Sequence, residues 1–420
     1  MKLWIVNHYA IPPAFGGLNR HYYFSNILES MGVDTRIFSS SKIHNTELNF
    51  IEGKELFIEK KCDEVEYTFI KTSNYKRNGL ARIFSFIQFP VNAIRTLRKF
   101  YKEEKPDAIY ASSPELFATA GAVYFAKKRN IPVVVEIRDL WPESIVAYTK
   151  ITRNNLVIRL LYGLEHWIYK NADRIIFTFE GGANYIEKKG WSTNKNGNVD
   201  LSKVRYINNG VDLERFDSDR CNFVLEDDIL DRRDFFKVVY TGSVRRVNCV
   251  WMLVEVAKKL QVEGIDDIYF VIYGDGTEKA NLIKEAEKCE LKNIVFRDRV
   301  EKKYIPSILE RADLNIFVGE PDTMNAYGLS LNKLFDYMAS GKPILSNIEA
   351  NYDNILKYNC GLVVQGESID DIYDGILQIK NLGPNDYKQY CNNSRNAAHD
   401  FDYVTQAKKL YEILNEVRST

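Results

Sequence analysis

Short, mostly apolar runs with strand character alternate with longer helical stretches along nearly the whole chain, and that alternation restricts the fold more than any other feature. In the first half the runs are residues 2–6, 35–39, 108–111, 132–137 and 174–179. In the second half they are residues 237–242, 268–274, 294–296, 314–318, 343–345 and 361–364. Several are continuously apolar instead of alternating, as a parallel strand covered on both faces requires. Strand–helix alternation through both halves predicts an α/β protein of two doubly wound, Rossmann-like domains. A chain of 420 residues, 45% of them apolar, can bury two cores, each domain holding about 200 residues. The expected division is a first domain over 1–208, a linker region over 209–234, a second domain over 235–395, and a C-terminal helix over 396–420 that packs back on the first domain. Asn209-Gly210-Val211-Asp212 supplies the turn chemistry at the boundary, and a strongly charged stretch follows it. Ligands of open α/β sheets bind at the carboxyl ends of the strands, so functional residues are expected in the loops that follow them.

Composition narrows the classes. Lys+Arg and Asp+Glu are 57 each, so no global charge draws the chain to nucleic acid and any anion must be held locally. Six cysteines without a CxxC pair argue against a zinc knot or a disulfide framework and suit a reducing compartment. The apolar start meets Asn7 and His8 almost at once and reads as a strand, not a secretion signal. No run of 18 apolar residues occurs, so no membrane-spanning helix is expected.

Four strings carry candidate chemistry. Gly16-Gly17, between the first strand and a helix, permits close backbone approach to an anion, although a plain strand-to-helix turn also explains it. It is not GxGxxG, which disfavours a nicotinamide enzyme. Val133 to Ser144 delivers Glu136, Arg138, Asp139 and Glu143 from the end of an apolar strand, where charges are costly unless paired or used. Thr241-Gly242-Ser243-Val244-Arg245-Arg246 places two guanidinium groups beside a turn with free N–H donors, a phosphate-binding combination. Finally, Asn332 and Lys333 fall in the first turn of a helix, and Asp336 one turn later can accept from two ribose hydroxyls. Lys333 and Asp336, at i,i+3, can alternatively pair with each other.

Taken in order, Asn7-His8-Tyr9, Gly16-Gly17, Arg138-Asp139-Leu140-Trp141-Pro142-Glu143-Ser144, Tyr206-Ile207-Asn208-Asn209-Gly210-Val211-Asp212, Gly274-Asp275-Gly276 and the string from Asn332 to Pro343 resemble the family-4 retaining glycosyltransferases over essentially the whole chain. The branch most alike adds sugars to bacterial cell-surface polysaccharide precursors. The resemblance implies the GT-B fold and a metal-independent, cofactor-free transferase using a nucleotide-diphosphate sugar, usually UDP-linked. It places donor binding at Gly17, Gly242, Arg245, Arg246, Gly274, Asn332, Lys333 and Asp336. Asp139, Arg138 and Glu143 become the catalytic candidates, with His8 and Arg20 on the acceptor side.

The chain departs from the family at three points. Gly328 stands where the family often has the first of two glutamates eight positions apart. Arg138 replaces a histidine. A lysine that follows the diphosphate-binding arginine has no match near Asn248. A non-catalytic sugar-nucleotide-binding subunit and a GT-B-fold UDP-sugar epimerase are the alternatives.

The expected partners are a nucleotide sugar, a lipid-linked saccharide acceptor and an anionic membrane surface, with no nucleic acid. The membrane expectation rests on residues 71–105, where nine Lys or Arg face only Glu103 and Glu104 and are interleaved with aliphatic and aromatic residues. Pro90 is expected to break this segment in two. The resulting placement is cytoplasmic and peripheral, on the inner face of the plasma membrane.

Overall fold

The computed structural model describes residues 1–16, 19–44, 46–75, 79–113, 115–320, 322–366 and 368–418. The chain forms two compact units, one of Met1–Asn208 with Tyr403–Thr420 and the other of Asn209–Asp402.

The first unit is built on an eight-stranded sheet: β1 (Lys2–Val6), β2 (Asp34–Ser40), β3 (Phe57–Cys62), β4 (Val65–Ile70), β5 (Ala108–Ser112), β6 (Val133–Ile137), β7 (Arg174–Phe177) and β8 (Val204–Tyr206). The order is β3-β4-β2-β1-β5-β6-β7-β8, and all neighbours are parallel except β3 and β4. Every residue of β5 and β6 is buried, as their unbroken apolar runs require. The β3–β4 hairpin was not among the expected strands. As an edge strand β3 carries Glu59, Lys60 and Lys61 outward, which hides its period while protecting the sheet edge.

Six helices accompany these strands: α1 (Arg20–Ser30), α2 (Leu80–Glu103), α3 (Leu116–Arg129), α4 (Glu143–Tyr148), α5 (Leu156–Asn171) and α6 (Gly182–Lys188). Contrary to expectation, α2 continues through Pro90. Roughly 3 kcal/mol is lost to a mid-helix proline. Burial of Phe89 and Leu97 on the same helix, each contributing about 1.5–3 kcal/mol, offsets it. Gly121 of α3 makes room for the ring, since a Cβ there would lie 2.9 Å from Pro90 Cβ.

The second unit has six parallel strands: β9 (Phe236–Thr241), β10 (Ile268–Tyr273), β11 (Ile294–Arg297), β12 (Leu314–Phe317), β13 (Ile344–Ser346) and β14 (Gly361–Val363), in the order β11-β10-β9-β12-β13-β14. Its helices are α7 (Leu213–Asn222), α8 (Trp251–Val262), α9 (Lys279–Lys288), α10 (Ile305–Glu310), α11 (Asn332–Ala339), α12 (Asn354–Lys357), α13 (Ile369–Lys380) and α14 (Pro384–Asp400). The final helix, α15 (Tyr403–Arg418), belongs to the first unit, where Ala407, Leu410 and Leu414 share a core with Phe24 and Leu28.

Two of the expected boundaries are corrected. Residues 209–234 are not a free linker: Asp212 caps α7, and Leu213, Phe216 and Leu230 are buried in the second unit's core. Residues 396–420 do not form one helix. The end of α14 stays with the second unit and α15 with the first. Among the described residues no helix is long and apolar enough to cross a membrane.

Strand order reverses between β1 and β5 in the first unit and between β9 and β12 in the second. Such reversal points open crevices at the carboxyl ends of the strands, and the candidate residues gather at both.

Candidate active site

In the second unit the loops after β9 and β10 lie against each other. Gly242 N–H donates to Tyr273 O at 2.9 Å, and Val244 N–H to Asp275 O at 2.9 Å. A Cβ on Gly274 would fall 1.8 Å from Gly242 O, so only glycine permits this approach. Gly242 itself has φ +145 and would meet Lys333 Nζ at 2.9 Å. The Tyr337 hydroxyl accepts the Thr241 N–H at 2.9 Å, tying α11 to the end of β9 and setting Lys333 beside Gly242.

Lys333 Nζ lies 4.0 Å from the Tyr240 ring centroid. Burial lowers its pKa to about 7. Arg245 and Arg246 are exposed on the same loop. Among the described residues, none of these three cations has a carboxylate within ion-pair distance. Asn332 is exposed in the first turn of α11, whose N-cap, Leu331, brings no side-chain bond to that turn. Asp336, one turn on, pairs with Lys302 at 3.7 Å and not with Lys333. Burial raises its pKa and Lys302 opposes the rise.

In the first unit a pocket of about 520 Å³ opens where β1, β5 and β6 end, lined by Tyr9, Gly79, Arg82, Ile83, Phe86, Glu115, Asp139, Trp141, Ser144 and Tyr148. Asp139 is exposed at the pocket, with the buried Leu140 and Ile137 close by in sequence. Desolvation by the surrounding protein raises its pKa, against the pull of Arg138. Beneath the wall, the His8 ring stacks on Tyr9 and Phe89 with centroids 4.5 Å away in each case. Its Nδ1 lies 3.2 Å from Glu115 Oε1 and its Nε2 3.1 Å from Ser85 Oγ. Glu115 also caps α3 through the N–H groups of Phe117 and Ala118. The carboxylate therefore holds a helix start and a histidine in one place.

Three expectations change here. Arg20 is buried and faces inward: its Nε donates to Glu136 Oε1 at 2.9 Å, and its other nitrogens donate to the carbonyls of Ile207 and Asn208. Burial alone would raise the Glu136 carboxyl, but Arg20, His21 and Arg138 hold it well below the usual carboxylate range. Arg20 thus fixes the end of the first unit's sheet and is not open to an acceptor. His8 is likewise a buried support and not a pocket-lining group. Glu143 lies away from the pocket wall and accepts from Lys189 at 2.6 Å, from Tyr162 and from Arg153. Burial pushes Glu143 up, those three partners outweigh it, and the net pKa is lowered, so its lone pairs are committed to structure. Arg138 sits beside Asp139, its N–H donating to Ser113 Oγ at 3.0 Å. Gly17 lies outside the described residues.

Arg82, Glu115 and Lys302 were not assigned to a site from the sequence, and Tyr9 entered only within the string Asn7-His8-Tyr9. Tyr9 and Glu115 each stand three residues past a buried strand, which was a usable signal for both.

The Glycosyltransferase Family 4 model matches residues 15–215, and the Glycosyl transferases group 1 model matches residues 226–397. The chain is similar to the putative colanic acid biosynthesis glycosyl transferase WcaI of Escherichia coli (strain K12), 23% identical over 286 residues, or 65% of this chain and 66% of that protein. Among solved structures it resembles sucrose-phosphate synthase from Thermosynechococcus elongatus, with a TM-score of 0.73, 14% identity and coverage of 100% of this chain and 99% of that one. It also resembles Anabaena Alr3699/HepE in complex with UDP and glucose, with a TM-score of 0.65, 14% identity and coverage of 99% and 100%. Two doubly wound parallel-sheet units of this kind are the GT-B fold. The chain belongs to glycosyltransferase family 4.

Proposed function

We propose that this protein moves a sugar, with retention at the anomeric carbon, from a UDP-linked sugar to a lipid-linked saccharide acceptor in cell-surface polysaccharide assembly. The observation that carries this reading is the trio of acid-free cations, Arg245, Arg246 and Lys333, around the glycine turn after β9. Cleavage of the bond between the anomeric carbon and the phosphate oxygen leaves negative charge on the diphosphate. Pre-placed cations and the first-turn N–H groups of α11 stabilise that charge without a metal ion. An acceptor hydroxyl attacks on the same face, and its proton passes to the departing diphosphate. Asp139, open in the first unit's pocket with Arg138 beside it, orients that hydroxyl. Asp336 takes the ribose hydroxyls, and Gly242, Gly274 and Asn332 allow close approach of the donor.

The names of the relatives support the donor and the setting: one is named a putative colanic acid biosynthesis glycosyl transferase, and another was solved in complex with UDP and glucose. The acceptor is met at the inner face of the plasma membrane, through the basic segment 71–105. A sugar-nucleotide-binding subunit without catalysis is the second reading, favoured by Gly328, which provides no carboxylate where the family often has one.

The test is a mass-spectrometric screen of UDP- and GDP-sugars with membrane extract as the acceptor source, with and without EDTA. A glycosylated lipid formed from a UDP-sugar, undiminished by EDTA, is the expected product. Donor binding without transfer supports the subunit reading, and turnover without acceptor indicates an epimerase.

A further inference from the structure

The helices α2, α3 and α5 form one layer: α2 packs on α3, and α3 on α5. Each leads into a parallel strand of the same sheet, so all three run in one direction and begin at the pocket end. Their outer face is divided along its length. At the pocket end exposed apolar side chains cluster, with Ile83, Phe84, Ile87 and Val91 on α2 and Leu156, Val157 and Leu160 on α5, where Arg159 is exposed as well. Phe84 is 56% exposed and Leu156 is 71% exposed. At the far end the exposed cluster is basic, with Arg95, Arg98, Lys99 and Lys102 on α2 and Lys128 and Arg129 on α3.

On α2 the two halves are one stripe. Positions 83, 87, 91, 95, 98 and 102 advance by three or four residues and share a face. That stripe is about 28 Å long at 1.5 Å per residue. Among the described residues none of Arg95, Arg98, Lys99 and Lys102 is ion-paired.

We propose that this face is a wedge for an anionic bilayer, whose apolar end enters the boundary between headgroups and acyl chains while its basic end rests on lipid phosphates. A bilayer surface offers both chemistries within a few ångströms of depth. A second copy of the chain does not: isologous pairing sets either basic end on basic end or basic end on apolar end. The wedge also places Ile83 and Tyr148, on the pocket rim, at the membrane plane. A lipid-linked acceptor then keeps its chain in the bilayer while its saccharide enters the pocket. That last consequence rests on the proposed function; the docking deepens the membrane contact named there and is tested without donor or acceptor. Docking differs from simple charge attraction through residues 71–105, because half of it is apolar and part of it lies on α5.

The experiment is co-sedimentation with vesicles of phosphatidylcholine alone or with phosphatidylglycerol, at low and high salt. Wild type is compared with an apolar-end variant (Phe84→Gln, Ile87→Gln, Leu156→Gln, Leu160→Gln) and a basic-end variant (Arg95→Glu, Arg98→Glu, Lys99→Glu). Circular dichroism and UDP binding are measured on all three, and folded protein with unchanged UDP affinity is expected throughout. If the fourfold apolar variant fails to fold, Phe84→Gln with Leu156→Gln replaces it.

Wild type is expected to bind anionic vesicles with a fraction that survives high salt. The apolar-end variant loses that fraction by roughly tenfold or more. The basic-end variant loses the increment that low salt adds. A folded apolar-end variant that sediments like wild type overturns the wedge. So does wild type that ignores vesicles, or a concentration-dependent dimer that the apolar-end variant abolishes. Absent UDP binding in wild type would instead sink the transferase reading and leave the docking result standing.

Discussion

The named candidate charges of the two units differ in their partners, although the second unit also pairs Arg297, at the end of β11, with Asp227 and Asp228. In the first, Arg20, Glu136 and Glu143 are drawn into internal bonds, and His8 is packed between two rings. In the second, Arg245, Arg246 and Lys333 stand at equally strategic positions without an acidic partner among the described residues. A charge beside an apolar strand must be satisfied from somewhere. The first unit satisfies most of its own and leaves Asp139 open in the pocket, whereas the second leaves cations for a ligand to satisfy. What separates a structural charge from a binding charge is its set of partners, not its residue type or its place in a motif.

The strongest way to break this contrast is to remove one side of the buried pair. Arg20→Ala strands Glu136 in a fully buried site, and should cost about 3–5 kcal/mol in urea denaturation. A loss near zero would mean that Arg20 is not the structural element described. Arg245→Ala or Lys333→Ala should do the reverse. Each removes a cation from the leaving-group site and should lower kcat/KM by roughly 10²-fold or more, while Arg245→Ala, at an exposed position, changes stability by no more than ~0.5 kcal/mol. Equal damage to stability in the two sets would erase the distinction.

Smaller is the expected effect of Asp336→Ala. Loss of hydrogen bonds to a charged acceptor should weaken binding of UDP itself, with no sugar present, by about 1.5–3 kcal/mol in calorimetry. If UDP binds normally and only sugar preference shifts, Asp336 faces the other end of the donor.

The smallest effect concerns pH. With a pKa of about 7 in the free protein, Lys333 is half neutral near pH 7. A bound diphosphate favours the charged form and raises that pKa. Binding therefore takes up a proton above pH 7, and UDP affinity should fall as pH rises through and beyond that value, by up to about tenfold per unit. Lys333→Arg, always charged, should flatten the profile; an equally steep profile in that variant would assign the titration to another group.

Much of the chain was legible beforehand. All six strands of the second unit were read within a residue or two, because parallel strands covered on both faces are continuous apolar runs. The turn at Gly242 was legible as a place of free N–H donors, but its close approach to Gly274 was not, because the two loops meet only in the folded unit. The β3–β4 hairpin was not, because its outer strand is polar. The unbroken α2 was not, because the proline signal is local while the room supplied by Gly121 comes from another helix.

By itself, then, the sequence determined the α/β class and the presence of two doubly wound units. These follow from apolar periodicity and turn chemistry, which act over a few residues. Tertiary structure alone decided which charges are spent inside and which remain for ligands. It also set the start of α15 at Tyr403, and it aligned the exposed apolar ends of α2 and α5. The reason is physical: the cost of a buried charge, or of an exposed leucine, depends on what lies within a few ångströms, and those neighbours come from residues tens to hundreds of positions away.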